Sequence, residues 1–352
     1  MDLELHHVLE YVAEDPTNGW GRNINRGGAK RRLTSYTLVC SGWRAFFQPR
    51  LFRKLTITQH DFNELRKLGR DAARWIEYIW LRIELDRYDC EHCCQPESNF
   101  THGKNTDDTE RAISEFFRIM VLWSISYSGD GFTLEISIHS PSDREHAFSS
   151  FDFDAVLDSG TLPNSEPSGS GPPRPAYDRD HNPRWARKVG AIRRLFGRGA
   201  MPVEFSCMLP PVEIINRLVV RRQTRRRMTP TGYAHIFSAL TCLKSTTLEF
   251  WREWPALEQQ DADNRHEFLL RRYLPPSLRS LTLFEDFDDG ATRSVEAELR
   301  FPVVADVVKL TRDPNASLGR TLADVSRGLQ HVTVAFMADA RDFFRAWPSS
   351  PD

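Results

Sequence analysis

The C-terminal half of the sequence repeats one short strand pattern three times, each time after a helical segment. The copies are LKSTTLEF, LRSLTLFE and LQHVTVAF, which align on Leu243, Leu278 and Leu329. Each copy places apolar or small residues at the first, fourth and sixth positions, and this spacing predicts a strand with one buried face. A helix plus strand unit of this kind cannot bury its apolar side alone and must stack on a neighbouring unit.

The N-terminal half contains related elements. Ile76 in IEYIWLRI fits the same frame, and the strand predicted there turns its apolar residues to one side and Trp80, Arg82 and Glu84 to the other. Residues 109–123 predict a helix and residues 132–139 another strand. We therefore expect an α/β fold built as an irregular leucine-rich-repeat-like array, with ordinary α/β packing of parallel strands as the alternative.

Composition narrows the classes of function. The 352 residues include 47 lysines and arginines against 48 aspartates and glutamates, so no global field favours nucleic acid or anionic lipid. No apolar run approaches the roughly 20 residues that span a bilayer, and the start MDLELHHVLEYVAED lacks the order of a signal peptide. The six cysteines are scattered through a long chain. These features predict reduced thiols, no membrane partner and a location in the cytoplasm, the nucleus or both.

The sequence lacks the common catalytic motifs. It has no phosphate-binding Gly-x-x-x-x-Gly-Lys loop, no Gly-x-Gly-x-x-Gly after a strand, no His-Glu-x-x-His and no Gly-x-Ser-x-Gly elbow. We expect a protein that is not an enzyme, with no catalytic residues and no cofactor.

The segment YDCEHCC is the nearest approach to a metal site. It contains Cys90, His92, Cys93 and Cys94, and a Cys-x-x-Cys pair supplies two of the four ligands that structural zinc needs. No second Cys-x-x-Cys or His-x-x-x-His supplies the other two, and His102 is the one candidate nearby. Free thiols after a strand end are therefore the preferred interpretation.

Two basic stretches raise the alternative of nucleic-acid binding. Arg221 to Arg227 reads RRQTRRR, and residues 184–198 read RWARKVGAIRRLFGR. The near-zero net charge favours a solvated helix end in which arginine stems cover apolar surface. The composition therefore argues against nucleic acid as a partner.

Two helical segments precede the first predicted strand. The first ends at Asp15-Pro16 and presents an apolar stripe formed by Leu5, Val8, Leu9 and Val12. Residues 17–32 follow as a loop. Thr34 or Ser35 can cap a second helix, which Pro49 ends. The face of this helix is wide and aromatic, and its members are Tyr36, Val39, Cys40, Trp43, Phe46 and Phe47.

The stretch SYTLVCSGWRAFFQPRLFRKLTI resembles the second half of an F-box. The shared features are a Leu-Val-Cys run, a Trp-Arg pair, an aromatic residue, a proline and an exit of the form Leu-Phe-Arg-x-Leu. The segments YIWLRIELDRYDCEHC and GFTLEISIHSPSDREHAF are similar to those of fungal F-box proteins, whose chains continue as irregular leucine-rich-repeat-like arrays.

The resemblance implies a non-catalytic substrate receptor in a cullin-RING ubiquitin ligase of the SCF type. In that family the F-box docks on the Skp adaptor, which links it to the cullin, and the remaining domain holds a target protein. The residues that match the motif and would contact the adaptor or support those contacts are Leu5, Val8, Leu9, Leu38, Val39, Trp43 and Phe47.

The resemblance also suggests how the chain is divided. Residues 1–55 would form the F-box-like module, 56–157 and 184–352 the two parts of the array, and 158–183 a disordered or exposed loop, because that segment is rich in glycine, proline and serine. The usual Leu-Pro pair before the first helix is absent. A second interpretation is therefore a repeat-type interaction scaffold with a vestigial F-box.

Overall fold

The fold is α/β, as the sequence predicts. A computed structural model describes residues 35–36, 38–68, 73–124, 130–145, 185–197, 199–253, 256–286 and 312–347. Within these ranges seven strands form one parallel sheet in the order β1-β2-β3-β4-β5-β6-β7. Each strand therefore lies beside its neighbours in the sequence. The strands are β1 Lys54–Ile57, β2 Tyr78–Glu84, β3 Phe132–His139, β4 Ile215–Val220, β5 Ser245–Trp251, β6 Ser280–Asp286 and β7 His331–Ala335.

Helices alternate with the strands, as parallel connections require. The described α-helices are α1 Ser41–Phe52, α2 Phe62–Lys67, α3 Asn99–Ser124, α4 Trp185–Phe196, α5 Pro230–Ala239, α6 Ala256–Arg272, α7 Ala316–Ser326 and α8 Ala340–Ala346. Short 3₁₀ turns follow β1 and β3 at Gln59–Asp61 and Pro141–Arg144. None of the helices in the described ranges is both long and apolar enough to cross a membrane.

The register of the sheet agrees with the alignment of the three repeated segments. Ser245 pairs with Ser280, and Ser280 pairs with His331. These residues stand two places after Leu243, Leu278 and Leu329, respectively, so the three aligned leucines occupy equivalent positions. Helices α5, α6 and α7 precede β5, β6 and β7, as predicted.

The two faces of the sheet differ in what covers them. One face packs in a single apolar core with helices α2, α3, α5, α6 and α7. The strand residues at the centre of this core are Ile79, Leu81, Leu134, Ile136, Leu218, Leu248, Leu281 and Leu283. The opposite face, here called the open face, carries the alternate residues, most of them half-buried or exposed, such as Trp80, Thr247 and Thr282.

The helix before β1 differs from the prediction. Residues 35–36 are helical, 38–39 form a turn, and α1 begins only at Ser41, with Cys40 as its N-cap. Pro49 lies inside α1 and does not end it. Stacking of Phe52 on Trp75, with ring centroids 6.2 Å apart, anchors the turn that follows Pro49. This stacking recovers part of the free energy that the proline costs by removing a helical hydrogen bond.

Several predictions fall outside the described residues. They concern Leu5, Val8 and Leu9, the loop at 17–32 and the segment 158–183. The predicted division between 56–157 and 184–352 does not interrupt the sheet, because β3 pairs directly with β4.

Helix α4 packs apart from the main core, on the loop that follows β2. A Cβ atom placed on Gly190 would collide with the carbonyl oxygen of Cys94. Farther along α4, the ring of Phe196 meets Trp251 of the open face edge-on, with centroids 5.0 Å apart. Helix α4 thus covers the open face near the carboxyl ends of the strands.

The close approach at Gly190 predicts that Gly190→Ala destabilises the protein, because the new methyl group must displace backbone. We expect a loss of roughly 1–3 kcal/mol in the free energy of unfolding by urea. The matched control is Gly103→Ala in α3, where nothing lies within 4 Å of a Cβ. This change should stabilise the helix by about 0.5–1 kcal/mol. Equal effects of the two substitutions would contradict the packing of α4 on Cys94.

Candidate protein-interaction surfaces

The segment before β1 forms a small aromatic cluster of its own, here called the aromatic module. Phe47 lies at its centre and is fully buried. Its ring centroid lies 5.0 Å from Tyr36, 5.6 Å from Trp43 and 4.9 Å from Phe46. Edge-on and tilted ring pairs at these distances are favourable. Phe47 and Phe46 are not part of the main core cluster, so this module holds itself together locally.

Two aliphatic side chains project from the aromatic module. Leu38 is 74% exposed and Val39 is 60% exposed. The turn that carries them is closed by hydrogen bonds from Leu38 N to the Ser35 carbonyl and from Val39 N to the Tyr36 carbonyl. Adjacent exposed aliphatic residues on an ordered turn are a feature of interaction surfaces.

Four of the predicted adaptor-contact residues lie in the described ranges, and the structure separates the exposed ones from the buried one. Leu38 and Val39 are available to a partner, and Trp43 is half-buried. Phe47 has no exposed surface, so it supports the module and does not contact a partner directly. The sequence could not separate these roles, because all four residues match the same motif.

The open face carries a series of cations stacked on aromatic rings. The Arg82 guanidinium lies 4.9 Å from the Trp80 ring centroid on β2. Similar contacts occur elsewhere on this face. They are Lys54 over Tyr78 at 6.0 Å, Arg225 over Trp251 at 5.3 Å and Arg222 over Phe284 at 5.4 Å. The open face therefore presents aromatic and cationic groups together.

Glu135 is a buried carboxylate on this face, at the centre of β3. It accepts a hydrogen bond from the Tyr78 hydroxyl, and Arg221 Nε lies 3.3 Å from its Oε2. Burial raises the pKa of Glu135 to about 7, and the attraction of Arg221 only partly opposes this effect. Glu135 therefore changes charge near neutral pH.

The basic stretch Arg221–Arg227 is not the solvated helix end that the sequence suggests. It forms the loop after β4, and four of its arginines pair with carboxylates of other segments. These pairs are Arg221–Glu135 at 3.3 Å, Arg222–Asp286 at 3.1 Å, Arg226–Asp143 at 2.5 Å and Arg227–Glu253 at 2.6 Å. The acidic partners lie far from this stretch in the sequence. Considered without the rest of the fold, the stretch therefore resembles a solvated basic patch.

Arg226 is the most deeply buried member of the stretch. Its guanidinium binds both carboxylate oxygens of Asp143, at 2.5 and 3.2 Å, and Glu97 Oε1 at 3.2 Å. It also donates to the Arg194 carbonyl of α4 at 3.1 Å. Burial alone would lower the pKa of Arg226, but the two carboxylates outweigh it and raise the pKa. Arg226 thus joins the loops after β2, β3 and β4 to helix α4.

The second basic stretch also packs against other parts of the protein. It forms α4, in which Leu195 and Phe196 are buried, and Arg194 is buried with them. The Arg194 guanidinium lies 4.5 Å from the ring centroid of Tyr88.

The cysteine segment after β2 forms a turn. Cys93 is buried, its Sγ lies 3.5 Å from Cys94 Sγ, and it donates to the Cys90 carbonyl. Burial raises the pKa of the Cys93 thiol to about 12. His92 Nδ1 lies 2.7 Å from Asp89 Oδ1. In the described part of the chain, no group of three or more His, Cys, Asp or Glu side chains is arranged to hold a metal ion.

The sequence predicts the open-face residues but not the partners of Arg226. Trp80 and Arg82 follow from the alternation in β2, which places them opposite its apolar residues. Glu97 and Asp143 have no such signal, because they stand 129 and 83 residues from Arg226.

Comparison with known proteins reaches only the C-terminal part of the chain. Residues 273–352 match a family described as "Family of unknown function (DUF6546)". The matched range includes β6, α7, β7 and α8. No curated protein and no solved structure gives a significant match.

The aromatic module predicts opposite outcomes for two of its residues. Phe47→Ala should destabilise the module by about 3–5 kcal/mol, because it removes a fully buried ring. Leu38→Ala should change stability by less than about 0.5 kcal/mol, because the side chain is exposed. Amide hydrogen exchange in α1 measures both. Similar loss of protection in the two variants would be inconsistent with Phe47 as the buried centre of the module.

The raised pKa of Glu135 predicts a pH-dependent stability. Between the ordinary glutamate pKa of 4.5 and about 7, the unfolded chain releases this proton while the folded chain retains it. The contribution of Glu135 therefore makes the folded protein less stable as pH rises through this window. We compare the free energy of unfolding of Glu135→Gln with that of wild type by urea unfolding. The variant's advantage over wild type should be larger at pH 8 than at pH 5 by about 1 kcal/mol or more. Ser137→Ala, a change without charge on the same face of β3, removes the acceptor of the Trp80 N–H and should therefore change the stability by the same amount at both pH values.

Proposed function

We propose that this protein is a substrate-receptor subunit of an SCF-type cullin-RING ubiquitin ligase. In this proposal the N-terminal module is a divergent F-box that docks on the Skp adaptor. The seven-stranded array is leucine-rich-repeat-like and holds a target protein. The receptor acts by positioning, because it raises the effective concentration of a target lysine near the catalytic subunits.

The observation that carries the proposal is the exposure of Leu38 and Val39 on the aromatic module. Docking of one helical surface on another uses apolar side chains on an ordered scaffold. Phe47 and its aromatic neighbours supply the scaffold, and the exposed pair supplies the contact. These residues belong to the stretch that resembles the F-box.

The seven-stranded array supports the proposal that this part of the protein holds a target. All seven strands are parallel and follow in sequence order, which is the arrangement of stacked helix/strand units. In such arrays the sheet face opposite the main layer of helices is the usual surface for a protein partner. Helix α4 covers part of this face here, at Trp251. Here the open face carries tryptophan, tyrosine and arginine, the residue types enriched at the centres of protein interfaces.

Two other functions fit less well. A repeat-type scaffold with a vestigial F-box needs the same array but no adaptor contact, and the experiment below separates it from the receptor. Nucleic-acid binding by Arg221–Arg227 is disfavoured, because four of these arginines are already paired with carboxylates. Releasing them would leave carboxylates such as Asp143 buried without a cationic partner.

The proposal predicts that the Skp adaptor co-purifies with the full-length chain through the exposed pair. The double variant Leu38→Ala/Val39→Ala should lower the amount of adaptor retained by about tenfold or more. Its folded stability should match that of wild type, because both side chains are exposed.

A double variant at two other exposed leucines, Leu122→Ala/Leu257→Ala, is the matched control and should retain the adaptor fully. Failure of the wild-type chain to retain the adaptor would reject the receptor and favour the scaffold. Equal losses in the two double variants would reject Leu38 and Val39 as the contact.

A further inference from the structure

Two adjacent cysteines lie together in the turn after β2. The Sγ atoms of Cys93 and Cys94 are 3.5 Å apart, so the two thiols are in direct contact. Adjacent side chains of an extended segment point in opposite directions, and it is the turn that brings these two to the same side. Cys93 contacts the carbonyl oxygen of Cys90, the third cysteine of the segment, at 3.1 Å. Cys93 and Cys94 are called the vicinal dithiol below.

Hydrogen bonds hold this turn in shape. The backbone N–H groups of His92 and Gln95 donate to the carbonyl oxygens of Asp89 and His92, at 3.3 and 3.0 Å. The side-chain amide of Gln95 donates to the Glu91 carbonyl at 3.0 Å. The backbone therefore arranges the vicinal dithiol before any reaction takes place.

The two thiols of the pair differ in accessibility. Cys93 is buried, with 3% of its surface exposed, whereas Cys94 is half-buried. Burial raises the pKa of the Cys93 thiol to about 12, so Cys93 stays protonated at neutral pH. Because the thiolate is the reactive form of cysteine, we expect a dissolved oxidant to react with Cys94 before Cys93. Cys93 then meets the oxidised Cys94 directly, and this proximity compensates for its low thiolate fraction.

We propose that Cys93 and Cys94 form a redox-active site that hydrogen peroxide converts to a vicinal disulfide. In the first step the Cys94 sulfur attacks the O–O bond, which gives a sulfenic acid on Cys94 and releases water. In the second step the Cys93 sulfur displaces the hydroxyl group from Cys94, and this group leaves as water with the Cys93 proton. The two sulfurs together lose two electrons, and the peroxide is reduced to two molecules of water. The site does not depend on the receptor function.

The adjacency of the two residues makes this disulfide easy to reduce. Consecutive Cα atoms lie about 3.8 Å apart, whereas disulfides usually join Cα atoms about 4.4–6.8 Å apart. A ring that closes over a single peptide bond is therefore strained, and a strained disulfide is more readily reduced. In a reducing compartment such a bond forms transiently and responds to oxidants. The vicinal disulfide is thus a reversible modification.

Helix α4 couples the vicinal dithiol to the open face. A Cβ atom on Gly190 would collide with the Cys94 carbonyl oxygen, so α4 packs directly on this carbonyl. The carbonyl is bonded to the Cα atom of Cys94, which is a member of the disulfide ring, and closing the ring therefore moves it. Farther along α4, Phe196 meets Trp251 of the open face. Oxidation therefore loosens α4 and the cover that it provides over Trp251.

The test treats the full-length protein with hydrogen peroxide and locates the disulfide by mass spectrometry. Trypsin releases residues 88–104 as one peptide, which contains all three cysteines of the segment. We expect iodoacetamide to alkylate Cys90, whereas Cys93 and Cys94 resist alkylation until dithiothreitol is added. Cys94→Ser should abolish this protection of Cys93. The matched control is Cys207→Ser, which removes an exposed cysteine outside the segment and should leave the protected pair unchanged.

Amide hydrogen exchange tests the coupling to α4. In the oxidised protein, the amides from Gly190 to Phe196 should exchange about tenfold faster or more than in the reduced protein, and dithiothreitol should restore the slow rates. Peroxide should not change these rates in Cys94→Ser. The amides of α7, which packs on α6 and α8, are the internal control and should exchange equally in both states.

Four outcomes would overturn the proposal. They are the absence of any disulfide, a disulfide that includes Cys90, oxidation of Cys94 to a sulfinic acid without a disulfide, and a Cys93–Cys94 disulfide that leaves exchange in α4 unchanged. Retention of the Skp adaptor is measured separately on the reduced protein. Its loss would reject the receptor function alone, whereas normal retention without the disulfide would reject this site alone.

Discussion

The parallel register of the seven strands is the constraint on which the rest of the structure depends. Strands such as β2 and β3 alternate core-facing and open-face residues, and a slip of one residue would turn their apolar side chains to the wrong face. In the observed register, Ile79, Leu134, Leu248 and their counterparts all face the helices. The same register places Trp80, Glu135 and Val219 side by side on the open face. One pairing pattern therefore creates both the core and the surface that we assign to the target.

Arg226 adds a second constraint at the carboxyl ends of the strands. A guanidinium buried this deeply is costly unless carboxylates surround it, and Asp143 and Glu97 meet that need. These partners come from the loops after β3 and β2, and Arg194 of α4 contributes its carbonyl. Arg226 therefore fixes three loops and one helix relative to each other.

The two proposed surfaces offer different kinds of interaction to a partner. The aromatic module is a small cluster with an exposed aliphatic pair, and contacts made there gain from removing apolar surface from water. The open face is aromatic and cationic, so its contacts depend on stacking and on charge, and they weaken in salt. A receptor that binds an adaptor at one surface and a target at the other uses both kinds of contact without sharing residues between them.

Local patterns in the sequence were enough to predict the strands β1, β2, β3, β5, β6 and β7, the helices before the last three of them and the α/β class. Each depends on side-chain spacing within one segment, which the backbone geometry imposes directly. The prediction failed at Pro49, which lies inside α1, in a turn whose Phe52 stacks on the distant Trp75. It also failed at Arg221–Arg227, whose acidic partners are brought close only by folding. Tertiary structure alone decided that Phe47 is buried while Leu38 is exposed, and that Arg226 is enclosed by Asp143 and Glu97. Those outcomes depend on contacts between distant segments, and no spacing within one segment encodes them.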